Sequence, residues 1–393
     1  MHFLKSRIII VYIMRDKLFE VIDSLEQEYI KVWEDVCNIE SPTRYKEGVD
    51  RVSSYFAKMA KDRGYKVEVQ PFEFAGDVVV ITANQDSNER PISFSGHLDT
   101  VHPIGAFGYP PVKIEGDKIY GPGVTDCKGG VVAGMLAIDA LIKCGYTKRP
   151  LQLLLQTDEE HSMSQKGCIK YIGERAKDAV AFFNLEGMAY GKACMERKGV
   201  TTYTFEITGI EAHSSRCATM GASAIREACY KILELEKYKQ DDGITCSVGV
   251  ISGGTVSNTV PGYCEFKANF RFSTIDELDE ITKFCEDLAN KVYVEGCKTV
   301  AKRTGFRIAM VKSDKNYDLL DKINAIYKRN GMQELEPVKN KGASDAADIT
   351  SYGIPCIECM GVIGGKIHSP DEYAEIKSLT HSAKLLAIAT SEL

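Results

Sequence analysis

The sequence predicts an α/β protein of two domains, with the second domain inserted into the first. Its 393 residues exceed the usual size of one compact core, so two domains are the simplest division. Apolar runs of strand length alternate with helical patterns up to about residue 195, as in a sheet covered by helices. A βαββαβ order follows, which is the pattern of a ferredoxin-like domain.

The first domain opens with two helices. Apolar residues recur at helical spacing over residues 17–34, and Ser41-Pro42-Thr43 ends that pattern. Residues 48–63 form a second helical stretch. Short apolar runs predict strands at residues 66–72, 78–83 and 92–95. A helix rich in small residues, 129–144, leads to the strand LQLLLQ at residues 151–156, whose apolar run 151–155 is typical of the middle of a sheet buried on both faces.

The inserted domain is predicted to contain four strands and two helices. In chain order these elements lie at residues 201–208, 221–237, 244–252, 263–272, 274–291 and 299–310. A further helix at 317–329 and a strand at 356–360 return the chain to the first sheet. We therefore expect residues 1–195 and 312–393 to form one discontinuous domain and residues 196–311 to form the insertion.

The composition is that of a soluble globular protein. Hydrophobic residues make up 44% of the chain and charged residues 26%, and the net charge of -6 argues against a nucleic-acid binder. The 13 cysteines are odd in number and scattered, which favours reduced thiols and a cytoplasmic location. Cys356 and Cys359 form a lone CxxC, which we interpret as buried thiols in a strand rather than a redox or zinc motif.

Residues 5–14 carry two positive charges followed by a short apolar run, a pattern that resembles a signal peptide. We reject a signal peptide because the run is too short to span a membrane and leads into charged residues without a small-residue cleavage site. Our hypothesis is that Met14 is the natural start, which would make residues 1–13 an extension.

Two polar residues follow the strand predicted at residues 92–95. His97 and Asp99 are two residues apart, so in extended geometry they would project to the same side. One could bind a metal while the other orients it through the second imidazole nitrogen. This HxD pattern alone is weak, since a surface strand end would also explain it.

The stretch GPGVTDCKGG places four glycines around Asp126 and Lys128, so its backbone can bend sharply beside a ligand. A phosphate-binding loop is the competing interpretation. The stretch lacks the GxxxxGK[ST] spacing, and an acid at its centre would repel phosphate. We therefore favour Asp126 as a residue that bridges two metal ions.

Three consecutive acids, Asp158, Glu159 and Glu160, follow the most buried strand. Ligand sites of α/β sheets lie at the carboxyl ends of their strands. Adjacent residues there point in different directions, so one carboxylate can bind metal while its neighbour acts as a general base. The alternative is the solvated start of a helix.

Two further segments complete a candidate ligand set. Glu186 follows another apolar segment, AVAFFNLEGM, and His368 lies in GGKIHSPDEY. Single acids and histidines are usually structural, but these residues all occur at strand ends or glycine loops. Two histidines and three carboxylates suit a pair of zinc ions. The set is His97, Asp126, Glu160, Glu186 and His368.

These motifs resemble a known family. SGHLDTVHP, GPGVTDCKGG, TDEE, EAHS, GGTVSN and HSPDE are similar, in this order, to motifs of the two-zinc metallopeptidases. That family includes carboxypeptidase G, peptidase T, aminoacylases, acetylornithine deacetylase and succinyl-diaminopimelate desuccinylase. The resemblance spans about residues 95–372 and implies a mixed-sheet, zinc-exopeptidase-like catalytic domain with an inserted lid and dimerisation domain.

The resemblance also implies a role for each ligand. Asp126 would bridge two zinc ions, with cobalt or manganese as substitutes. His97 and Glu186 would complete one metal position, and Glu160 and His368 would complete the other.

Residues beside the metals receive roles by the same resemblance. Glu159 would activate water as the catalytic base, and Asp99 would orient the neighbouring histidine ligand. His213 of the inserted domain would polarise the substrate carbonyl, either in its own subunit or across a homodimer. Asn258 and Arg271 would contact the carboxylate of the substrate, for which a guanidinium group is well suited.

The expected reaction is hydrolysis of an amide bond in a small peptide or an N-acyl amino acid that carries a free carboxylate. A deacylase of the acetylornithine deacetylase or desuccinylase type is the alternative. Two other classes stay open, namely a catalytically inactive metal-binding protein and a thiol-dependent hydrolase that uses Cys127. Neither nucleic acid nor membrane is an expected partner.

Overall fold

The computed structural model describes residues 2–163, 165–239 and 242–393, with side chains from residue 15 onward. It divides into two compact units. The first contains Met1–Met195, Lys312–Val338 and Asp348–Leu393, and the second contains Glu196–Val311 and Lys339–Ala347. The hypothesis that Met14 is the natural start concerns residues 1–13, whose side chains are outside the described part of the structure. Within the described part of the chain, no helix has the length and apolar character needed to cross a bilayer.

The amino-terminal part of the first unit contains four helices and eight strands. The helices are α1 (His2–Asn38), α2 (Lys46–Asp62), α3 (Lys128–Lys143) and α4 (Gly167–Ala176). The strands are β1 (Lys66–Gln70), β2 (Val78–Ala83), β3 (Ile92–His97), β4 (Lys113–Glu115), β5 (Lys118–Tyr120), β6 (Leu151–Gln156), β7 (Ala181–Asn184) and β8 (Lys192–Arg197). The pattern over residues 17–34 is thus part of one longer helix.

The second unit is ferredoxin-like, as predicted. Its strands are β9 (Gly199–Thr208), β10 (Ala212–His213), β11 (Thr245–Gly253), β12 (Thr259–Val260), β13 (Tyr263–Phe272) and β14 (Lys298–Arg307), and its helices are α5 (Ala224–Leu235) and α6 (Ile275–Asn290). The main sheet has the order β11-β13-β9-β14 and is antiparallel throughout. Ser223 and Thr274 cap the two helices by accepting backbone N–H bonds, which fixes where each helix begins.

The chain then completes the first unit. The remaining elements are α7 (Asp314–Arg329), β15 (Glu336–Asn340), α8 (Asp345–Ser351), β16 (Cys356–Ile357), β17 (Gly364–Gly365), β18 (Tyr373–Glu375) and α9 (Ser378–Glu392). The strand predicted at residues 356–360 is shorter than expected, because its backbone leaves the sheet after Ile357. Helix α9 was not predicted. Most of its surface is buried, so it lacks the polar face that marks an amphipathic helix.

The sheet of the first unit is mixed, as the fold class predicted. Its order is β1-β2-β6-β3-β7-β16. Strands β6, β3, β7 and β16 are parallel, whereas β2 and β1 are antiparallel additions at one side. Every residue of β2, β3, β6 and β7 is buried, as expected of strands covered on both faces of a sheet.

One segment groups differently from the predicted division. Residues 339–347 were expected in the discontinuous domain but cluster with the second unit. Lys198 donates its backbone N–H to the carbonyl of Asn340 at 3.2 Å, and Lys339 forms an ion pair with Glu196 at 2.9 Å. These contacts, which join distant parts of the chain, have no signature in the local sequence pattern.

Candidate metal centre

Three neighbouring parallel strands bring their carboxyl ends to one edge of the sheet. His97 is the last residue of β3 and pairs in register with Gln156, the last residue of β6. Glu160 follows β6 by four residues, and Glu186 follows β7 by two. Because β6, β3 and β7 are adjacent, three predicted ligands meet where α/β sheets place their ligand sites.

The glycine loop between β5 and α3 brings Asp126 to the same edge. Close packing explains why glycine occupies two positions at the start of α3. A Cβ atom at Gly129 would lie 2.1 Å from the carbonyl oxygen of Val124, and one at Gly130 would lie 1.9 Å from that of Leu185. Gly130 therefore lets the helix approach the segment that carries Glu186.

The five predicted ligands lie together in two groups that share Asp126. Its Oδ1 is 3.1 Å from Nε2 of His97, which is 3.5 Å from Oε1 of Glu186. Its Oδ2 is 3.1 Å from Nε2 of His368, which is 3.4 Å from Oε2 of Glu160. The two oxygens of one carboxylate thus face two histidines in separate groups, the arrangement expected of a bridging ligand.

The charges of this cluster fit divalent cations. Hydrogen bonds to Asp126 and then Glu160 raise the pKa of His368 to about 10. Burial would raise the pKa of Asp126, but hydrogen bonds from His368 and His97 hold it below its ordinary value. Three carboxylates therefore gather positive charge at one place, and carboxylate oxygens with imidazole nitrogens form a ligand set that zinc accepts.

His368 is held by an unusual backbone conformation. Its φ of 60° lies in the left-handed region, which residues with a Cβ atom rarely adopt. Such conformations persist where the surrounding structure imposes them, and they cluster at functional sites.

Asp99 joins the acidic loop to the histidine ligand. Its carboxylate accepts hydrogen bonds from Oγ1 of Thr43 at 2.7 Å and from the backbone N–H groups of Glu159 and Glu160, each at 3.1 Å. Nδ1 of His97 lies 2.9 Å from the main-chain oxygen of Asp99 and 3.5 Å from its carboxylate. Asp99 therefore contacts the histidine, with the main-chain oxygen as the nearer partner, and its orienting role stays a prediction.

Glu159 is buried beside this network, and 7% of its surface is exposed. Its neighbour Glu160 turns toward His368. The role of Glu159 as an adjacent base stays a prediction.

The comparison with protein-family models is decisive. A model described as peptidase family M20/M25/M40 matches residues 93–391. The chain belongs to this family. It is accordingly a hydrolase of the M20 type, in agreement with the resemblance of its motifs.

Individual M20/M25/M40 relatives match most of the chain. It is 27% identical to carboxypeptidase G2 of Pseudomonas sp. (strain RS-16) over 372 residues, covering 92% of this chain and 88% of the relative. It is 24% identical to succinyl-diaminopimelate desuccinylase of Nitrosospira multiformis over 344 residues, covering 81% and 87%.

Solved structures show the same fold. Aminopeptidase PepT of Bacillus cereus aligns with a TM-score of 0.78 at 20% identity, covering 93% of this chain and 98% of that chain. The M20 metallo-carboxypeptidase Sso-CP2 of Sulfolobus solfataricus aligns with a TM-score of 0.71 at 17% identity, covering 93% and 98%.

One residue of this M20 site was missed by sequence reasoning. The carboxylate of Glu372 is fully buried and accepts backbone N–H bonds from the glycine loop, including that of Asp126 at 3.1 Å. It also bonds Nε2 of His102 at 2.8 Å. The available signal was its place in the HSPDE motif, four residues after His368.

Lys128 does not serve a phosphate loop. Its fully buried ammonium group donates to the carbonyl oxygens of Val36 and Ile39, each at 3.1 Å, and to Oγ of Ser41 at 3.2 Å. Groups at and just after the end of α1 therefore accept the hydrogen bonds of the Lys128 ammonium group. This agrees with our interpretation of the glycine stretch as a metal-binding loop rather than a phosphate-binding loop.

Two of the three predicted substrate residues of the second unit lie together. His213 on β10 pairs in register with Thr259 on β12, and the N–H of Ser214 donates to the carbonyl of Asn258 at 2.9 Å. Nδ1 of His213 lies 2.8 Å from Oγ of Ser215.

Arg271 lies at the other end of the unit. It is near the end of β13, and eight residues of extended strand separate it from Tyr263, roughly 26 Å at the usual rise per residue. Arg271 and Arg307 both pair with Val200 from opposite sides of β9, so they share one face of the sheet. Burial and then the charge of Arg307 lower the pKa of Arg271.

Proposed function

We propose that this chain is a dinuclear zinc peptidase or amide hydrolase that acts on small peptides or N-acyl amino acids with a free carboxylate. The observation that supports this most directly is Asp126, whose two oxygens face His97 and His368 in separate ligand groups. Zinc ions bound there would act as Lewis acids toward the amide carbonyl and lower the pKa of water.

The protein's own residues would provide the proton transfers. Glu159, beside the ligand Glu160, would take a proton from the attacking water and deliver it to the leaving nitrogen. Its burial is compatible with this role, because expelling water from a site strengthens the electrostatic interactions within it. His213 would donate a hydrogen bond to the substrate carbonyl as negative charge develops on its oxygen.

Arg271 is the guanidinium group proposed to bind the free carboxylate, and Arg307, which forms an ion pair with Asp345, lies beside it. Arg271 and Arg307 lie on one face of the sheet, and Arg271 is intermediate in exposure. An arginine can bind a carboxylate through two parallel hydrogen bonds. Asn258 would add a hydrogen bond near His213. The names of the relatives include a carboxypeptidase and a desuccinylase, so a deacylase is the second candidate.

A homodimer would reconcile the positions of His213 and Arg271. His213 lies toward the end of β13 that begins at Tyr263, and Arg271 lies near its other end, roughly 26 Å away along the strand. This separation exceeds the length of a small substrate, so the two residues would act on the same molecule from different subunits. Strand β11 is an exposed edge whose sequence, TCSVGVISG, contains no charged residue. The opposite edge, β14, carries Lys298, Lys302 and Arg303, which discourage strand pairing. We therefore propose pairing through β11.

A thiol mechanism has little support. Burial raises the pKa of the Cys127 thiol to about 12, and its Sγ accepts the backbone N–H of His97 at 2.9 Å. A nucleophilic cysteine requires a thiolate, which this environment disfavours. All 13 cysteines are thiols, which supports the proposed cytoplasmic location.

A substrate panel tests the proposal. The zinc-loaded protein should hydrolyse at least one class among dipeptides, tripeptides, N-acetyl and N-succinyl amino acids, and blocking the substrate's carboxylate as an amide should abolish turnover. Cys127→Ser should retain this activity. Absence of turnover across the panel with a full complement of zinc would point to the inactive metal-binding protein.

A further inference from the structure

His368 and Asp126 lie on separate loops that meet at one small sheet. The loop that carries His368 connects β17 and β18, and β18 pairs with β5. Strand β5 leads directly into the glycine loop that carries Asp126. The sheet, of order β17-β18-β5-β4, therefore holds the bases of both loops together.

The carboxylate of Glu372 joins these loops near their tips. Its Oε1 accepts the backbone N–H groups of Thr125 at 2.9 Å and Asp126 at 3.1 Å. Its Oε2 accepts the N–H of Gly123 at 3.2 Å and lies 2.8 Å from Nε2 of His102. Four polar partners thus surround one fully buried carboxylate.

The hydrogen bonds to Glu372 fix the position of the loop that carries Asp126. A carboxylate that accepts several N–H groups forms charge-assisted hydrogen bonds, which are stronger and shorter than neutral ones. Here the donors belong to the loop of Asp126, while the acceptor follows His368 by four residues. Further contacts reinforce the pairing, since Oγ1 of Thr125 donates to the carbonyl of Tyr373 at 2.6 Å.

The geometry points to Glu372 as a positioning residue for one of the two metal positions, the position formed by Asp126, Glu160 and His368. His102 would support it by holding the carboxylate in place. This inference rests on the proposed metal centre. The other metal position shares Asp126 but takes His97 and Glu186 from the ends of β3 and β7 in the large sheet, so only one of its three residues lies on a loop held by Glu372.

Metal titration of the full chain tests this role. Cobalt would be added to the metal-free protein and followed by its visible spectrum and by metal analysis. The unmodified protein should bind two ions. Glu372→Gln should weaken the binding of one of the two ions, the one at the position formed by Asp126, Glu160 and His368, by about 10- to 100-fold. A loss of this size is typical when a residue that supports a metal ligand is replaced. Glu375→Gln is the matched control, because Glu375 lies three residues after Glu372, on β18, and its carboxylate accepts a hydrogen bond from Tyr190 instead.

A second readout separates positioning from general destabilisation. In the metal-free protein, exchange of the Gly123, Thr125 and Asp126 amide hydrogens should be faster in Glu372→Gln than in Glu375→Gln. Amides outside the loop should keep their wild-type rates. His102→Gln should give a smaller loss of metal affinity, because it leaves the three backbone hydrogen bonds in place.

The outcomes distinguish this inference from the proposed function. If the unmodified protein does not bind two ions, the proposed metal centre is wrong. If it binds two and Glu372→Gln binds both with unchanged affinity, the positioning role alone is wrong. Should Glu372→Gln not fold, rapid exchange of the three loop amides in the unmodified, metal-free protein would overturn the inference, and slow exchange would support it.

Discussion

Replacement of Asp99 by asparagine should damage the site through a single backbone N–H group. Asparagine keeps one acceptor oxygen and replaces the other with NH2. If the NH2 group takes the place of Oδ2, the hydroxyl of Thr43 can rotate to accept from it. The N–H of Glu160 cannot adapt and would lose its partner. A buried donor without a partner costs about 1–3 kcal/mol in stability.

The orphaned N–H belongs to a predicted metal ligand, so the effect should extend beyond stability. We expect Asp99→Asn to weaken metal binding by about 10- to 100-fold, because it removes a hydrogen bond that positions Glu160. Denaturant unfolding would measure the free energy change in the metal-free protein. Zinc titration and turnover on the best substrate of the panel would measure the functional loss.

Asp139→Asn provides a matched control. Asp139 is another buried carboxylate on α3, and it accepts hydrogen bonds from Tyr29, Arg63 and Tyr65. The Asp139→Asn variant should lose a similar amount of stability, while its affinity for metal stays at the wild-type value. Equal losses of zinc affinity in the two variants would refute the reasoning, because the effect would then follow from destabilisation alone.

Three further outcomes are expected. Glu159→Gln should lower kcat by about 10²- to 10⁴-fold with metal content unchanged, and wild-type turnover would contradict its role as base. Chelation should lower Tm by several degrees and zinc should restore it, since a ligand at about 100 times its Kd adds about 2.7 kcal/mol of stability; an unaltered Tm would count against resident metal. Ile251→Asp on β11 should give monomers in sedimentation, whereas Val300→Asp on β14 should not; a dimer that survives the first change places the interface elsewhere.

Much of the site could be predicted because its ligands follow buried strands. The apolar sequences that end before His97, Glu160 and Glu186 reveal where the strands stop, and the parallel arrangement brings those ends together. The glycines around Asp126 similarly mark a tight approach of backbone segments. Local sequence therefore contains the information needed to place these residues.

The missed features depend on contacts between distant segments. Glu372 binds backbone N–H groups almost 250 residues earlier, and backbone groups carry no sequence signature. The separation of His213 from Arg271 required the strand register of the second unit. Residues 339–347 group with the second unit, unlike in the predicted division, for the same reason, since their partners near residue 198 follow only from the folded chain.

The order of the ligands along the chain has a consequence for biosynthesis. His97, Asp126 and Glu186 all emerge from the ribosome within the first 186 residues, whereas His368 follows 182 residues later, after the whole second unit has been made. Glu372 emerges later still. A nascent chain thus contains the ligands of the position formed by His97, Asp126 and Glu186 well before His368 is made. Ribosome-bound chains halted near residue 360 should therefore lack the position that requires His368.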